Sequence, residues 1–462
     1  MRLLAPVLIV LLYALRGGAT EPVSIGSRWE LFVDDLLVES LHGDATLALQ
    51  RPIPQEVVLV TDQPWEGNIC AYYTVFRDGD LFRMYYRGAH YDETAKKSAH
   101  REVTCYAESR DGVQWTRPEL GLFDFNGSRR NNIVWDGLGT HCFTPFKDRN
   151  PNCPEHARFK AIAAGYEPAK NGLYAFQSPD GIHWSLIRDE PVITKGAFDS
   201  QNLAFWDEFR GQYLDFHRTF HEGVRDIFTC RSDDFVTWTE PQLLQYTGAP
   251  REHLYTNAIL PYDRAPHLLL GFPTRFLPQE GERVEPTLMA SRDGLNFRRW
   301  PEALIPPDAP QDRQGNRSNY LAWGLMQLPG KEGEYSVYAT EAYYTGPNSR
   351  LRRFTFRVDG FVALQAAQAG QLVTKPVQFA GRSLTVNHQT APGGTLRVEL
   401  RDPEGRPCEG FALRDCEPLP GDSLAAAVRW RSGKDLAALA GKPVRICFEL
   451  SDAKVFSYRF AP

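Results

Sequence analysis

Residues 109–115 read SRDGVQW, a short polar turn that ends in tryptophan. The pattern recurs as SPDGIHW from Ser178, SDDFVTW from Ser232 and SRDGLNF from Ser291, and RVDGF around Asp359 is a degraded fifth copy. In each copy the Asp–Gly or equivalent pair supplies the positive φ of a tight turn, and the Asp carboxylate bonds nearby amides. A spacing of about 60 residues fits one four-stranded propeller blade with its loops.

The segments between the copies are rich in β-branched and aromatic residues and are bounded by turn signals, which is typical of strands. In the first unit they read AYYTVFRDG, LFRMYYRG, VTCYAESRDG and WTRPELG. Five copies therefore predict an all-β fold with a five-bladed β-propeller over residues 25–375. We expect RWELFVDDLLVES, from Arg28, to supply the strand that closes the ring, and VVLVTDQPW to lead into the first blade.

After residue 380 apolar and polar residues alternate with period two between Gly, Pro and Asp turns. This pattern predicts a β-sandwich over residues 380–462. The sandwich either supports the propeller or binds carbohydrate, and the sequence leaves both open.

The chain of 462 residues has a formal net charge of −5 and no basic run, which argues against non-specific nucleic-acid binding. Residues 1–19 have a positive start at Arg2, an apolar run and a small-residue stretch, as in a signal peptide cleaved after Ala19. The alternative is an uncleaved anchor. We expect a secreted or periplasmic protein with no membrane span in the mature chain.

The eight cysteines include no C-x-x-C pair, so the sequence has no zinc-ribbon or thioredoxin-like motif. Cys142 with Cys153, and Cys408 with Cys416, are either disulfides or buried free thiols. We expect no cofactor and no metal ligand, and leave a structural calcium open.

Strand order in a blade puts the four box turns at one end of the sheets and the starts of the inner strands at the other. Three acids precede inner strands at that other end: Glu66, Asp199 and Glu252. Paired carboxylates in a concave site suit glycosidic cleavage, with one as the acid and the other as the base or nucleophile. We expect Glu252 to be the acid, Asp199 the base or nucleophile, and Glu66 a modulator.

The same end carries a set of polar and aromatic side chains suited to sugar hydroxyls and rings. They are Trp65, Asn68, Arg87, His141, Gln201, Asn202, His217, Arg218, His253, Arg275, Asn319, Trp323 and Glu341. The three arginines, Arg87, Arg218 and Arg275, share one position in three blades, where they either clamp an anionic group of a glycan or pair with the axial acids. Asp34 and Asp35 are a further option, with a turn or edge-strand role favoured.

The repeated turn resembles the Asp box of sialidases. The whole arrangement is similar to glycoside hydrolase families 32 and 43, and most to family 32-like proteins of planctomycete type. LFVDD, PWEGN, LFRMYYRG, FDSQN, EHLYTN and RLRRFTFRVDGF carry the latter resemblance. True family 32 enzymes have W-x-N-D-P-N-G, R-D-P and E-C motifs. Here the only R-D-P, at Arg401, lies in the predicted sandwich, so catalytic roles are not transferred from that family.

Together these features predict a secreted glycosidase that acts on a plant or algal-type oligo- or polysaccharide, either neutral or anionic. A non-catalytic glycan-binding protein and a glycoside phosphorylase are the alternatives.

Overall fold

The computed structural model describes residues 21–166, 168–306 and 319–462. Strands dominate this part of the chain, and its helices are short 3₁₀ turns at Thr140–Cys142, Glu155–Ala157, Pro278–Glu280 and Leu436–Leu439. The predicted all-β class is therefore confirmed. Across the described ranges, no helix is long and apolar enough to cross a membrane. The signal peptide predicted at residues 1–19 lies outside the described residues.

Three four-stranded antiparallel sheets follow one another along the chain. The first sheet consists of Ala71–Asp78, Leu81–Gly88, Val103–Ser109 and Ile133–Trp135. The second consists of Thr144–Lys147, Phe159–Gly165, Gly172–Ser178 and Ser185–Leu186. The third consists of Leu203–Asp207, Gln212–His221, Val224–Ser232 and Gln242–Leu243.

The predicted fourth strand of the first unit, WTRPELG, is wrong. Thr116 forms only an isolated bridge to Glu108, and Ile133–Trp135 is the outer strand instead. Pro118 lies in the middle of the predicted segment and has no N–H to donate to a ladder, so the pairing stops there. A small hairpin of Tyr91–Asp92 and Lys97–Ser98 stands between the second and third strands of this sheet.

The next region is divided into two smaller sheets. One has the order Gln245–Thr247, Asn296–Trp300, Leu288–Ser291, Leu269–Gly271 and Leu260–Pro261. The other has the order His253–Thr256, Thr274–Leu277 and Arg283–Pro286.

The last sheet of the series closes onto the N-terminal part of the chain. Glu334–Glu341 pairs with Arg350–Arg357, which pairs antiparallel with Ile53–Val60. The expected closing strand from Arg28 is wrong, because Glu30–Leu31 and Val38–Gly43 pair with C-terminal strands instead. The sequence VVLV that was expected to lead into the first blade is the closing strand.

A larger sheet gathers strands from both ends of the chain. Its longest strands are Ser383–Arg401 and Arg445–Ala461, which pair with each other. The remaining members are Glu30–Leu31, Val38–Gly43, Thr46–Leu49, Val362–Ala366, Gly370–Thr374 and Asp422–Ala427. Nearby, Val23–Gly26 pairs in parallel with Val377–Phe379. Strand pairing therefore joins residues 362–374 to the C-terminal strands, and the domain limits at 375 and 380 stay a prediction.

Four of the repeated turns have one geometry. In the first, Asp111 Oδ1 accepts hydrogen bonds from the amides of Val113 and Gln114, both at 2.8 Å, and Ser109 Oγ accepts from the Gly112 amide at 2.9 Å. The carboxylates of Asp180, Asp234 and Asp293 accept from the corresponding amides. In each of these aspartates one carboxylate oxygen is held by amides of its own turn, as expected of a scaffold element.

The fifth copy differs from the other four. Asp359 is buried and accepts hydrogen bonds from Tyr262 Oη at 2.6 Å and Arg264 Nε at 2.9 Å, with a further contact to Ser457 Oγ. Its interpretation as a degraded box turn is therefore wrong. The chain leaves the repeat here for the larger sheet, and Asp359 ties the two together.

Side chains from separate sheets meet where the inner strands begin. Gln201 Nε2 lies 3.2 Å from the carbonyl oxygens of Tyr72 and Tyr73, which belong to the first sheet. Trp323 donates its backbone N–H to Tyr73 O at 2.8 Å and its indole N–H to Ile259 O at 2.8 Å. These contacts bring the inner-strand starts of several sheets together around one centre.

All eight cysteines are free thiols. Six are buried, so of the two alternatives raised by their spacing the structure has free thiols.

Candidate active site

A charged cluster lies at the end of the sheets opposite the box turns. His141 Nδ1 is 2.9 Å from Glu102 Oε2, and His141 Nε2 is 3.0 Å from Asp199 Oδ1. Arg87 Nη1 lies 3.6 Å from Glu102, and Arg218 Nη2 lies 3.5 Å from Asp199. We call these five residues the His141 cluster. One imidazole thus separates two carboxylates, each of which also faces a guanidinium.

Each member of the cluster sits at a strand boundary on this edge. Arg87 and Arg218 are near the ends of second strands, and His141 and Asp199 precede inner strands. Glu102 directly precedes the third strand of the first sheet, Val103–Ser109. Glu102 lies outside the sequence-predicted set, which covers only the first two strands of each unit, although antiparallel order starts the third strand at the same edge.

The cluster members fix one another's protonation. Burial lowers the pKa of His141, but hydrogen bonds to Asp199 and Glu102 outweigh it and leave that pKa raised. The hydrogen bond from His141 is the main reason that the pKa of Asp199 falls to about 2. For Glu102, burial acts upward, yet His141 and Arg87 hold the pKa below its usual range. At neutral pH both carboxylates are therefore ionised.

Tyrosines surround the cluster. Arg87 lies over the Tyr72 ring, 4.8 Å from its centroid, and Arg87 Nη2 donates to Tyr343 Oη at 2.9 Å. The rings of Tyr255 and Tyr320 are 5.7 Å apart, and those of Tyr320 and Tyr343 are 5.5 Å apart. We call Tyr72, Tyr255, Tyr320 and Tyr343 the tyrosine belt. Tyr72 has φ of 57°, a strained value for a bulky residue, and such values are concentrated at functional sites.

Aromatic rings also lie on the other side of the cluster. Arg218 lies over the Tyr255 ring at 5.5 Å, and the His141 ring is 6.4 Å from that of Tyr166. The exposed fraction of the Asp199 side chain is 59%, against 29% for Glu102. Asp199 is therefore the cluster carboxylate that an incoming molecule meets first.

Of the three predicted acids, Asp199 alone belongs to the cluster. Glu66 is fully buried, and its carboxylate accepts hydrogen bonds from Tyr86 Oη and from Arg117 Nε, the latter at 2.9 Å. Burial raises the pKa of Glu66, and Arg117 opposes the rise. Glu66 is thus enclosed within the first sheet and its flanking loops.

Glu252 is held by two arginines. Arg299 contacts Oε1, and Arg275 Nη1 lies 3.4 Å from Oε2. Arg275 also contacts Glu285. Both oxygens of Glu252 therefore face guanidinium groups, which is a poor setting for a proton donor.

Among the predicted binding residues, Arg87, His141 and Arg218 are in the cluster, and Gln201 is at the centre of the inner strands. The others have structural partners. The Trp65 indole donates to Asn132 at 2.7 Å, and Asn68 pairs with the backbone of Tyr91.

The remaining ones hold loops and strands in place. Asn202 donates to Phe198 O at 2.8 Å, Asn319 to Thr340 O at 2.9 Å, and Trp323 to Ile259 O. Glu341 pairs with two arginines of the last sheet, and His253 contacts Arg225. His217 contacts Asp215 and the Lys195 carbonyl oxygen.

Two further features lie at the box end of the sheets. Asp34 pairs with Arg292 at 2.6 Å and Asp35 with Arg298 at 3.4 Å, beside the fourth box turn, which agrees with a turn role. A cavity of about 150 Å³ is lined by residues such as Phe146, Trp206 and Met326, from the far ends of the inner strands. In its lining Lys147 and Arg149 are ion-paired at the surface, and Arg77 donates to the Gly79 carbonyl oxygen. We therefore place the candidate site at the His141 cluster, where one imidazole lies between two carboxylates.

Comparison with known proteins finds no family model and no curated protein that matches the chain. An N-acetylgalactosamine deacetylase from F. plautii is 13% identical, with a TM-score of 0.48, and the match covers 68% of this chain and 96% of that one. A β-1,2-mannobiose phosphorylase from Listeria innocua has the same identity and TM-score over 67% and 96%. A glycosyl hydrolase from Bacteroides ovatus is 12% identical, with a TM-score of 0.47 over 67% and 94%. At these values the names describe those proteins alone.

Proposed function

We propose that this chain is a glycoside hydrolase whose active site is the His141 cluster with its tyrosine belt. The observation that supports it is the single imidazole held between Glu102 and Asp199, at 2.9 and 3.0 Å. Glycosidic cleavage needs one group that protonates the leaving oxygen and one that activates water or attacks the sugar.

The charges assign the two roles. Asp199 is ionised, because its pKa is about 2, and it is the exposed carboxylate, so it serves as the base or nucleophile. His141 holds its proton more firmly than free histidine and serves as the acid. In hydrolysis the leaving oxygen of the substrate replaces Asp199 as acceptor of the Nε2 proton and then takes that proton, while Asp199, released from His141, takes a proton from the attacking water. Glu102 is a positioning residue that keeps the ring oriented.

This assignment replaces Glu252 by His141 as the proton donor. The two guanidinium groups on Glu252 leave neither oxygen free to carry a transferable proton. Asp199 keeps its predicted role.

The surroundings suit a carbohydrate. Tyrosine rings stack against the apolar faces of sugars, and their hydroxyls bond sugar oxygens. Arg87 and Arg218 add positive charge beside the acids, which fits a glycan with a carboxylate or sulfate group.

The proposal also includes the architecture of the chain. We propose that the successive sheets are the five blades of a propeller and that the larger sheet is a β-sandwich, in a protein similar to families 32 and 43. Export from the cytoplasm is part of this proposal.

The experiment is a turnover screen on plant and algal glycans, with and without inorganic phosphate. Release of sugars in the absence of phosphate, and its loss when Asp199 is replaced, would support hydrolysis. Formation of a sugar phosphate, only when phosphate is present, would favour the phosphorylase. The buried Arg87 and Arg218 at the cluster are the observation that favours this alternative. Binding without turnover on any glycan would overturn the enzyme in favour of a glycan-binding protein.

A further inference from the structure

A second group of chemically reactive side chains lies within the third sheet. Asp215 and His217 are two residues apart on one strand, so they share a face. Cys230 lies directly opposite Asp215 on the neighbouring strand. One donor atom from each of the three lies within 4.8 Å of the other two, and all three residues are buried.

The hydrogen bonds of His217 indicate which ring nitrogen is available. His217 Nε2 lies 3.0 Å from the carbonyl oxygen of Lys195, which can only accept, so Nε2 carries a proton. Nδ1 faces Asp215 Oδ1 in close contact. Histidines that bind metals commonly donate the other ring N–H to a carbonyl in this way, which fixes the tautomer.

One buried atom of the group, Asp215 Oδ2, has no hydrogen-bond partner in the described part of the chain. A pair of protonated His217 and ionised Asp215 would satisfy both ring nitrogens, but it leaves this oxygen unexplained. Buried polar groups without partners are rare in folded proteins.

We propose that Asp215, His217 and Cys230 bind a divalent metal ion of the zinc class. Nδ1, the carboxylate oxygens and the thiolate are donors that zinc accepts, whereas a thiolate disfavours calcium and magnesium. A dication with one carboxylate, one thiolate and one neutral imidazole has no net charge, which makes its burial tolerable. All three ligand residues are closed off from solvent, and Nδ1, the thiolate and both carboxylate oxygens would supply the four donor atoms of a structural site.

Such an ion would join the second and third strands of the third sheet. It would also restrain the segment at Lys195, four residues before Asp199. This group has no motif in the sequence, because its ligands follow no C-x-x-C spacing and come together only through strand pairing. The proposal does not depend on the enzymatic function proposed above.

The test is the metal content of the full chain expressed with added zinc and measured by plasma mass spectrometry. We expect about one zinc per chain, as for a structural site. The variant is Cys230→Ser, and the matched control is Cys105→Ser, since Cys105 is buried in the corresponding third strand of the first sheet. We expect the variant to lose the zinc and the control to retain it.

Cobalt provides a second readout on the unmodified protein. Cobalt(II) bound at this site should give a thiolate-to-cobalt charge-transfer absorption, which is absent from Cys230→Ser and present in Cys105→Ser. If the unmodified chain holds neither zinc nor cobalt, or if both variants bind metal equally, the proposal is overturned. If Cys230→Ser fails to fold, the cobalt spectrum of the unmodified chain decides.

Discussion

Asp111 and Asp199 lie at opposite ends of the sheets and differ in where their partners come from. Asp111 accepts hydrogen bonds from amides of its own turn, whereas Asp199 faces His141 and Arg218 from other strand boundaries. Both carboxyls have lowered pKa values. A lowered pKa therefore does not separate scaffold from site. What separates them is that Asp111 is satisfied locally, while Asp199 depends on side chains that a bound molecule can also engage.

The largest effect should come from Asp199→Asn. The amide cannot act as a base, so kcat/KM on the substrate found in the screen should fall by about 10²- to 10⁴-fold. Glu252→Gln is the matched control, because it also replaces a predicted catalytic acid by its amide, and kcat/KM should stay within a few-fold. Equal losses in the two variants would restore Glu252 as a catalytic residue.

Arg117→Met sharpens the comparison with a third kind of carboxylate. It removes the guanidinium from the fully buried Glu66, and we expect the free energy of unfolding to fall by about 3–5 kcal/mol. Urea denaturation measures it. Arg130→Met, in the exposed pair with Glu119, is the control and should leave the free energy of unfolding almost unchanged. A similar small change for Arg117→Met would mean that Glu66 is already protonated.

Asp111→Ala tests the scaffold end. The turn amides of Val113 and Gln114 lose their acceptor, and the free energy of unfolding should fall by about 1–3 kcal/mol, with kcat/KM unchanged in the folded protein. Asp189→Ala, on an exposed side chain, is the control and should be neutral in denaturation. Loss of activity in Asp111→Ala without loss of stability would contradict the scaffold role.

The smallest effect concerns pH. The raised pKa of His141 means that its contribution to stability is complete below about pH 6.5 and is lost as the pH rises through the folded value. The lowered pKa of Asp199 means that its contribution is present above about pH 4 and is lost as the pH falls toward about 2. Urea denaturation from pH 4 to pH 9 should show a loss of stability on the alkaline side in the natural chain.

The same titration of His141→Gln should show a smaller loss above pH 6.5. Parallel pH profiles for the two proteins would show that His141 carries no excess proton in the folded state.

The sequence predicts best what is local. The box turns need only their own seven residues, and the strands at Ala71–Asp78 and Leu81–Gly88 follow from the turn beside each. Of the His141 cluster, the sequence pattern singled out Asp199, Arg87, His141 and Arg218. It missed Glu102, and it placed Glu66 and Glu252 at the centre, because the same strand-edge position says nothing about which arginine will cap an acid.

Long-range pairing was the other limit. Nothing near Ile53 indicates that its strand pairs with a partner about three hundred residues later, and the outer strand at Ile133–Trp135 is separated from its neighbour by a long loop. Neither pairing has a signal in its own composition.

The pairing of Ile53–Val60 with Arg350–Arg357 has a consequence for synthesis. The strand Ile53–Val60 leaves the ribosome long before its partner is synthesised. Its edge therefore stays unpaired while the sheets between the two strands are made. Contacts so distant in sequence slow folding, and exposed edges invite association between chains. This pairing therefore forms only after the sheets between the two strands have been made, and newly made copies are most exposed to aggregation before it forms.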